Sequence, residues 1–536
     1  MLKQGGKNIV EAGRWADALR LSRADVDAFP NRLTDPVPQS PRLVPIGKML
    51  VLLLAIALLP RAVMAWRIPT ICTDGTIYVA IAEQHSGGQL NSAEVHSQNL
   101  YPLILSAVHG MGLSWETAGK AWGVLCGTLV ILPLFGFVRR QFNDRVAAVA
   151  CLIYAVHPEL IEWSPELIRD QTFWLLFTTS LYCLWRATVE VSVPFHLAAA
   201  VAVFLCAFTR FEAIFLVIPW AIWSAVRWFY LESGRRRFVA SWAMLFVTAV
   251  VAVGITGKGS DALGKLSDLR PLVRAQAWLT GTSEVAVPTT VRMTTTRHLR
   301  LFFKTVTRGM TELFGALILI GFVLHLRLFL RSDQLPLLLM SLAICGGIWI
   351  HLWYSDGEAS SRYSLAIVIM GVRAAALCVM RLSNVLADLA ARRSLGMRTT
   401  MMFAPLVVII IVGLADAMHT NYDGRLAKAE LGRWIQRTYG ENSRLAGEDH
   451  QLPIVGFYAR TGHCAYTPAA DVDGWMRQLR ATAPDVVLVP QRSFTPTNYR
   501  DLLDGARSLG LQLTEPELSI PLQDDTAVLS RVPIRR

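Results

Sequence analysis

The chain has 536 residues, of which 53% are hydrophobic and 17% charged, with a net charge of +12. Soluble domains carry about 25% charged residues, and here the apolar residues come in long runs such as 49–60 and 401–414, which an ordinary soluble core does not need. The basic excess does not point to nucleic acid, because it gathers at the ends of apolar runs, as in Arg139-Arg140, Arg235-Arg236-Arg237 and Arg392-Arg393, where it orients a chain in a membrane and meets anionic headgroups.

Residues 1–46 are polar and of mixed charge, too long and too acidic for the charged region of a signal peptide, so a cytoplasmic N-terminal segment leading to a retained anchor is expected. Spans are expected at 47–66, 117–138, 145–161, 170–187, 195–209, 212–230, 238–256, 311–330, 335–353, 363–380 and 400–418. With the N-terminus inside, the clusters at 139–145, 235–237, 327–331 and 392–393 fall on the cytoplasmic face. The loop 257–310 is basic although it falls outside, and its stretch 297–307 has the pattern of an amphipathic interface helix.

Beyond the last span, 424–439 is amphipathic with helical spacing, 485–489 and 526–531 read as strands, 499–509 as a helix and 511–513 as a further strand. The expected fold is therefore an all-α polytopic membrane bundle of about eleven spans with a small C-terminal α/β soluble domain. Its parts are a transmembrane domain, 47–418, with outer loops 67–116 and 257–310, and an extracytoplasmic domain, 419–536. Of the eight cysteines, only Cys72 and Cys464 fall in outer aqueous segments, where a disulfide between them is open.

Four outer segments carry the polar chemistry. In 72–83, Asp74 sits where a helix from about Thr76 to Gln84 begins, a position that orients a carboxylate and suits it to act as a general base. Segment 157–170 holds Glu159, Glu162, Glu166, Arg169 and Asp170 near lipid depth; 207–212 holds Arg210 and Glu212; 355–364 holds Arg362, whose guanidinium fork matches a phosphate. Each has a plainer reading as well: a helix cap for Asp74, interface ion pairs for 157–170 and for Arg210 with Glu212, headgroup contact for Arg362.

The ordered set of motifs resembles the GT-C fold glycosyltransferases that use polyprenyl-phosphate sugars, among them the protein O-mannosyltransferase-like (family 39), aminoarabinose transferase and bacterial Rgt-like enzymes. The resemblance covers 47–380 and rests on Arg61, Thr73-Asp74-Gly75 with Tyr78, Tyr101-Pro102-Leu103, Gly112-Leu113-Ser114, the basic turn Arg139–Arg145, Ser164–Asp170, Thr209–Glu212 and Ser361-Arg362-Tyr363. It implies a multi-pass protein of the plasma (inner) membrane that moves a sugar from a polyprenyl phosphate to an acceptor hydroxyl on the outer face, with inversion at the sugar carbon. In that scheme Asp74 is the base. Arg210 and Arg362, with Tyr363 beside them and Arg61 a lesser candidate, stabilise the departing phosphate, while Glu166 and Asp170 orient acceptor or sugar. Gly75 stands where the family often has a second acid, so no metal and no other cofactor is expected. The implied partners are the lipid-linked donor, a lipid or glycan acceptor (protein being the least supported), membrane lipids and no nucleic acid. The alternative is a polytopic transporter or flippase of lipid-linked or polar substrates.

Overall fold

The computed structural model describes residues 45–88, 100–189, 192–230, 239, 242–243, 295–331, 333–354, 360–391, 395–419, 422–447, 452–461, 464–466, 486–490, 518–522 and 525–531. The chain enters through α1 (Ile46–Arg67), a mostly apolar helix that carries the buried Arg61 and ends on a basic residue at the negative end of the helix. Two further helices follow, α2 (Thr73–Ser86) and α3 (Leu100–His109). Next, α4 (Trp115–Leu129), capped by Ser114 accepting from the Thr117 N–H at 3.2 Å, runs on into α5 (Ile131–Gln141). The basic turn leads to α6 (Asp144–Val156), whose cap Asn143 accepts from the N–H groups of Arg145 and Val146, each at 3.0 Å.

After the short α7 (Pro158–Glu162), α8 (Asp170–Val189) and α9 (Val193–Thr209) pack together as a hairpin, and α10 (Ile214–Tyr230) follows. The second half of the bundle comprises α11 (Thr295–Met310), α12 (Glu312–Leu324), α13 (Leu326–Phe329), α14 (Leu335–Tyr354), α15 (Leu365–Ala391) and α16 (Leu395–Ala417).

Among the described residues five helices are long and apolar enough to cross a membrane, or six if one bent pair is a single span. That pair is α11 and α12, which meet at 95°. Thr311, at φ 52°, makes the turn. The expected interface stretch 297–307 is therefore a real helix, set across the direction of the apolar one that follows it. Leu52, Leu59, Leu319, Val323 and Ile411 are between 60% and 68% exposed. Aliphatic side chains so placed on long apolar helices form a lipid-facing surface, since the backbone polar groups are already paired within each helix.

Three sequence expectations change. The helix expected from about Thr76 starts at Thr73, so Asp74 lies inside its first turn and does not cap it. The expected span 145–161 breaks at His157 (ψ 122°), because Pro158 disfavours a helical residue before it and opens α7 instead. Cys72 is a buried free thiol, not joined to Cys464 as the open disulfide would have it. The expected span 238–256 lies almost wholly, and the elements 499–509 and 511–513 entirely, outside the described residues.

The C-terminal region begins with α17 (Asp423–Tyr439) and α18 (Leu452–Ala459). Beside them lies a five-stranded sheet ordered β2-β1-β3-β5-β4, built from β1 (Leu445–Gly447), β2 (Cys464–Tyr466), β3 (Val486–Pro490), β4 (Leu518–Leu522) and β5 (Asp525–Arg531). The first three strands pair in parallel, while β5 runs antiparallel to both β3 and β4, with Val486 opposite Arg531 and Leu522 opposite Asp525. Its core joins Leu431, Ile435, Leu445, Leu452, Val455, Ala459 and Val486. Phe457 and Tyr458 leave that core and pack instead on the cluster around Ile71, Val79, Tyr101 and Leu167, so the α/β region rests on the segment that follows α1.

Candidate active site

The site is held by the segment between α7 and α8, which runs along α4. Gly123 allows the closest approach, because a Cβ there would meet the Ser164 carbonyl oxygen at 2.2 Å. Arg61, fully buried in α1, grips the same segment. It donates to Ser164 Oγ at 3.0 Å and to the carbonyls of Ala57 and Ala155 at 2.8 and 3.0 Å. Its hydrogen-bonding capacity is turned on the backbone, so the structure makes Arg61 a clamp for 164–170; it is not brought to the charged cluster described next.

That cluster gathers residues from all four of the polar segments 72–83, 157–170, 207–212 and 355–364. Arg362, in a short 3₁₀ turn (Ser361–Ser364) at the mouth of α15, lies 2.7 Å from the Asp74 carboxylate and 4.0 Å from that of Asp170. Asp170, at the start of α8, also pairs with Arg210, and Arg210 pairs with Glu212. The order Asp74–Arg362–Asp170–Arg210–Glu212 alternates in sign, as a charge network in a poorly solvated place must. Tyr363 lies between the two cations, 5.2 Å from the Arg210 guanidinium and 5.8 Å from that of Arg362, while Trp163 backs Arg362 at 5.8 Å. Glu159 Oε2 accepts from Trp163 Nε1 at 2.9 Å and from Ser361 Oγ at 2.8 Å, which ties the arginine's turn to α7.

Exposure separates the two aspartates. The Asp74 side chain is 39% exposed and that of Asp170 only 3%. Asp74 is open to an incoming molecule, whereas Asp170 is enclosed between arginines. Tyr78, one turn along α2, faces the same group. Burial pushes its phenol up to about 12, opposed by Arg169, so it remains a hydrogen-bond donor at neutral pH. Among the described residues the Nε atoms of Arg210 and Arg362 meet no acceptor.

Glu166 does not join this cluster. It is buried and pairs with Arg425, on α17 of the C-terminal region. Glu166 and Asp170 are both expected to orient acceptor or sugar, but in the non-helical stretch before α8 the two carboxylates point to different partners. Arg425 and Trp163 are the site residues that sequence reasoning passed over. Arg425 sits in an ordinary amphipathic pattern that gives no hint of a partner across the chain. A second tie fixes the same interface, where Tyr458 Oη accepts from the Ile71 N–H at 3.1 Å and donates to Glu116 Oε2 at 3.2 Å.

Gly75 is explained by packing. A Cβ at this position would lie 2.9 Å from Leu167 Cβ, so the residue beside Asp74 has no room for a second acid. Among the described residues no three His, Cys, Asp or Glu side chains assemble as metal ligands. The carboxylates of the cluster are matched with guanidinium groups.

A family model described as dolichyl-phosphate-mannose-protein mannosyltransferase matches residues 100–256. No curated protein matches the sequence. Among solved structures, ArnT from Cupriavidus metallidurans in the apo state is 14% identical, with 90% of this chain and 98% of that one covered and a TM-score of 0.53. The same protein bound to undecaprenyl phosphate gives 14% identity, 90% and 97% coverage and a TM-score of 0.54. The Archaeoglobus fulgidus oligosaccharyltransferase AglB, in complex with an inhibitory peptide and a dolichol-phosphate, is 12% identical, with 86% and 71% covered and a TM-score of 0.54. The sequence resemblance and these likenesses agree, and the chain has the polytopic helical membrane fold of the GT-C glycosyltransferases.

Proposed function

We propose that the protein is a membrane glycosyltransferase that moves a sugar from a polyprenyl phosphate to an acceptor hydroxyl at the outer face of the plasma membrane. The observation that carries this reading is the pairing of a half-open carboxylate, Asp74, with the guanidinium of Arg362 at 2.7 Å. An acceptor hydroxyl entering beside Asp74 gives up its proton to the carboxylate as its oxygen attacks the sugar's anomeric carbon. The bond from that carbon to the phosphate oxygen breaks on the opposite side, so configuration inverts. Negative charge grows on the departing phosphate, and preorganised cations are the usual means of stabilising it. Arg362 and Arg210, each with an Nε lacking an acceptor among the described residues, are suited to that task. Asp170 holds both arginines in place, and Tyr363 keeps their planes apart.

The fold likeness supports transfer over transport, since ArnT and AglB, whose fold this chain shares, were captured with polyprenyl phosphates. The same reading includes about eleven crossings, a cytoplasmic N-terminus and an extracytoplasmic α/β region from residue 419 onward. Lipids and glycans are the favoured acceptors.

The test is reconstitution in proteoliposomes with radiolabelled polyprenyl-phosphate sugars and a lipid and glycan extract as acceptor. Label moving onto an acceptor, with free polyprenyl phosphate released in equal amount, supports the reading. Label crossing the bilayer still joined to its lipid, with no transfer, refutes it in favour of a flippase.

A further inference from the structure

A cleft of about 750 Å³ opens between the first outer segment and the C-terminal α/β region. One wall is a face of α2, formed by Thr76, Val79, Ala80 and Glu83 at the i, i+3, i+4 and i+7 positions. Asp74 stands on the opposite face of that helix, turned to Arg362. The cleft is therefore separate from the charged cluster, and it shares with it only the helix between them.

The chemistry of the walls limits what fits. Trp115 lines the cleft, and His109 stacks on it at 3.6 Å, which fixes the indole plane. From the other side, α17 and α18 bring Arg433, Gln436 and Tyr458. Arg433 lies over the Tyr458 ring at 5.0 Å, and among the described residues it has no carboxylate partner. Among the described residues Glu83, on the facing wall, forms no salt bridge. Burial raises the Glu83 carboxyl above its ordinary range, against the pull of His109. Aromatic planes, the Glu83 carboxyl, the Arg433 guanidinium over its tyrosine and an amide, with the already paired Glu116 and Arg460 at the margin, match a polyhydroxylated ring compound, whose apolar faces stack and whose hydroxyls both donate and accept. A lipid tail would leave these polar groups unpaired, and a phosphate would meet two carboxylates, Glu83 and Glu116, beside the arginines. The volume falls within the ~300–1,000 Å³ of small-ligand sites.

We propose that this cleft is a saccharide-binding site distinct from the charged cluster. Resting on the transferase reading for its source, the ligand is the glycan part of the acceptor, held behind α2 while its reactive hydroxyl reaches round to Asp74. Both walls are needed, so the α/β region contributes directly to acceptor choice.

The test needs no donor lipid. The detergent-solubilised full chain is titrated with defined mannose, glucose, galactose and arabinose oligosaccharides, read by indole fluorescence and by equilibrium dialysis. At least one saccharide binds saturably; Asp74→Asn leaves its affinity within about twofold, and Arg433→Gln and Trp115→Leu each weaken it about tenfold or more. Should Trp115→Leu fail to fold, Arg433→Gln and Gln436→Ala, both on α17, carry the comparison, with thermal unfolding as the check. The proposal is overturned if no saccharide in the panel saturates the wild type. It is equally overturned if the cleft variants bind as the wild type does, or if Asp74→Asn abolishes binding, which would place the sugar at the charged cluster. Saccharide binding in a protein that transfers nothing would refute the transferase reading and leave the cleft standing; transfer without this binding would do the reverse.

Discussion

Arg362 is bound to Asp74, the nearer of its Nη atoms 2.7 Å from the carboxylate, although the two residues come from opposite halves of the chain. The contact sets the base against the cation that has to meet the leaving phosphate. A donor phosphate that takes up Arg362 therefore competes with Asp74 for it, and binding of the donor frees the carboxylate for the acceptor. Arg362→Lys keeps the charge but loses the fork, so it raises the donor KM and lowers transfer about tenfold to a hundredfold. Arg210→Ala behaves differently. Its side chain is only 5% exposed, and its loss leaves Asp170 with only the more distant Arg362 and takes from Glu212 its paired arginine, so reduced thermal stability accompanies reduced transfer. Donor titration together with thermal unfolding separates the two cases.

The pair between Glu166 and Arg425 locks the α/β region to the segment that carries Asp170. Removing the arginine leaves a carboxylate with 2% side-chain exposure unpaired. Such a loss costs about 3–5 kcal/mol when fully buried, with the low end expected here because Arg425 is partly exposed. Arg425→Ala lowers the unfolding temperature and lets a protease release the region after residue 419, while the double variant Glu166→Gln with Arg425→Ala recovers part of the loss. Equal stability of the single variant and the wild type would show that the pair is not formed.

Gly75 is required for the approach of Leu167 to α2. Gly75→Asp supplies a second acid beside Asp74, yet it forces Leu167 aside, so transfer and stability both fall. Adding Leu167→Ala opens the space and restores part of the stability. A stable and active Gly75→Asp single variant would contradict the packing.

The Cys72 thiol is raised well above its ordinary range, chiefly by burial and further by the Glu166 carboxylate. A raised thiol pKa means less thiolate, and thiolate is the reactive form. Cys72 therefore resists maleimide in the folded protein at neutral pH and reacts on denaturation, whereas in Arg425→Ala labelling speeds up as the covering region loosens. Mass spectrometry of the labelled peptide reads both.

Much of this site was legible in the sequence. Asp74, Asp170, Arg210, Glu212, Arg362 and Tyr363 lie in polar stretches at the ends of apolar runs, and burying such groups at those depths forces them to find each other. Glu166 lies in the same kind of stretch, but its direction depends on the path of a non-helical segment over Gly123, which no periodicity reports. Arg425 was invisible for a related reason: its partner is set by how the α/β region docks. In that region 486–490 and 525–531 were legible as strands, whereas Leu518–Leu522, which holds Pro521, was not, and Leu445–Gly447 and Cys464–Tyr466 are three residues each, too short for an alternating pattern.

The most direct test of Asp74 as the base is single-turnover transfer in proteoliposomes with a radiolabelled polyprenyl-phosphate sugar, comparing wild type, Asp74→Asn and Asp74→Glu. Loss of a general base costs about 10²–10⁴-fold, so Asp74→Asn falls by that factor while donor binding holds, and Asp74→Glu keeps a measurable part. Transfer by Asp74→Asn at the wild-type rate would contradict the account.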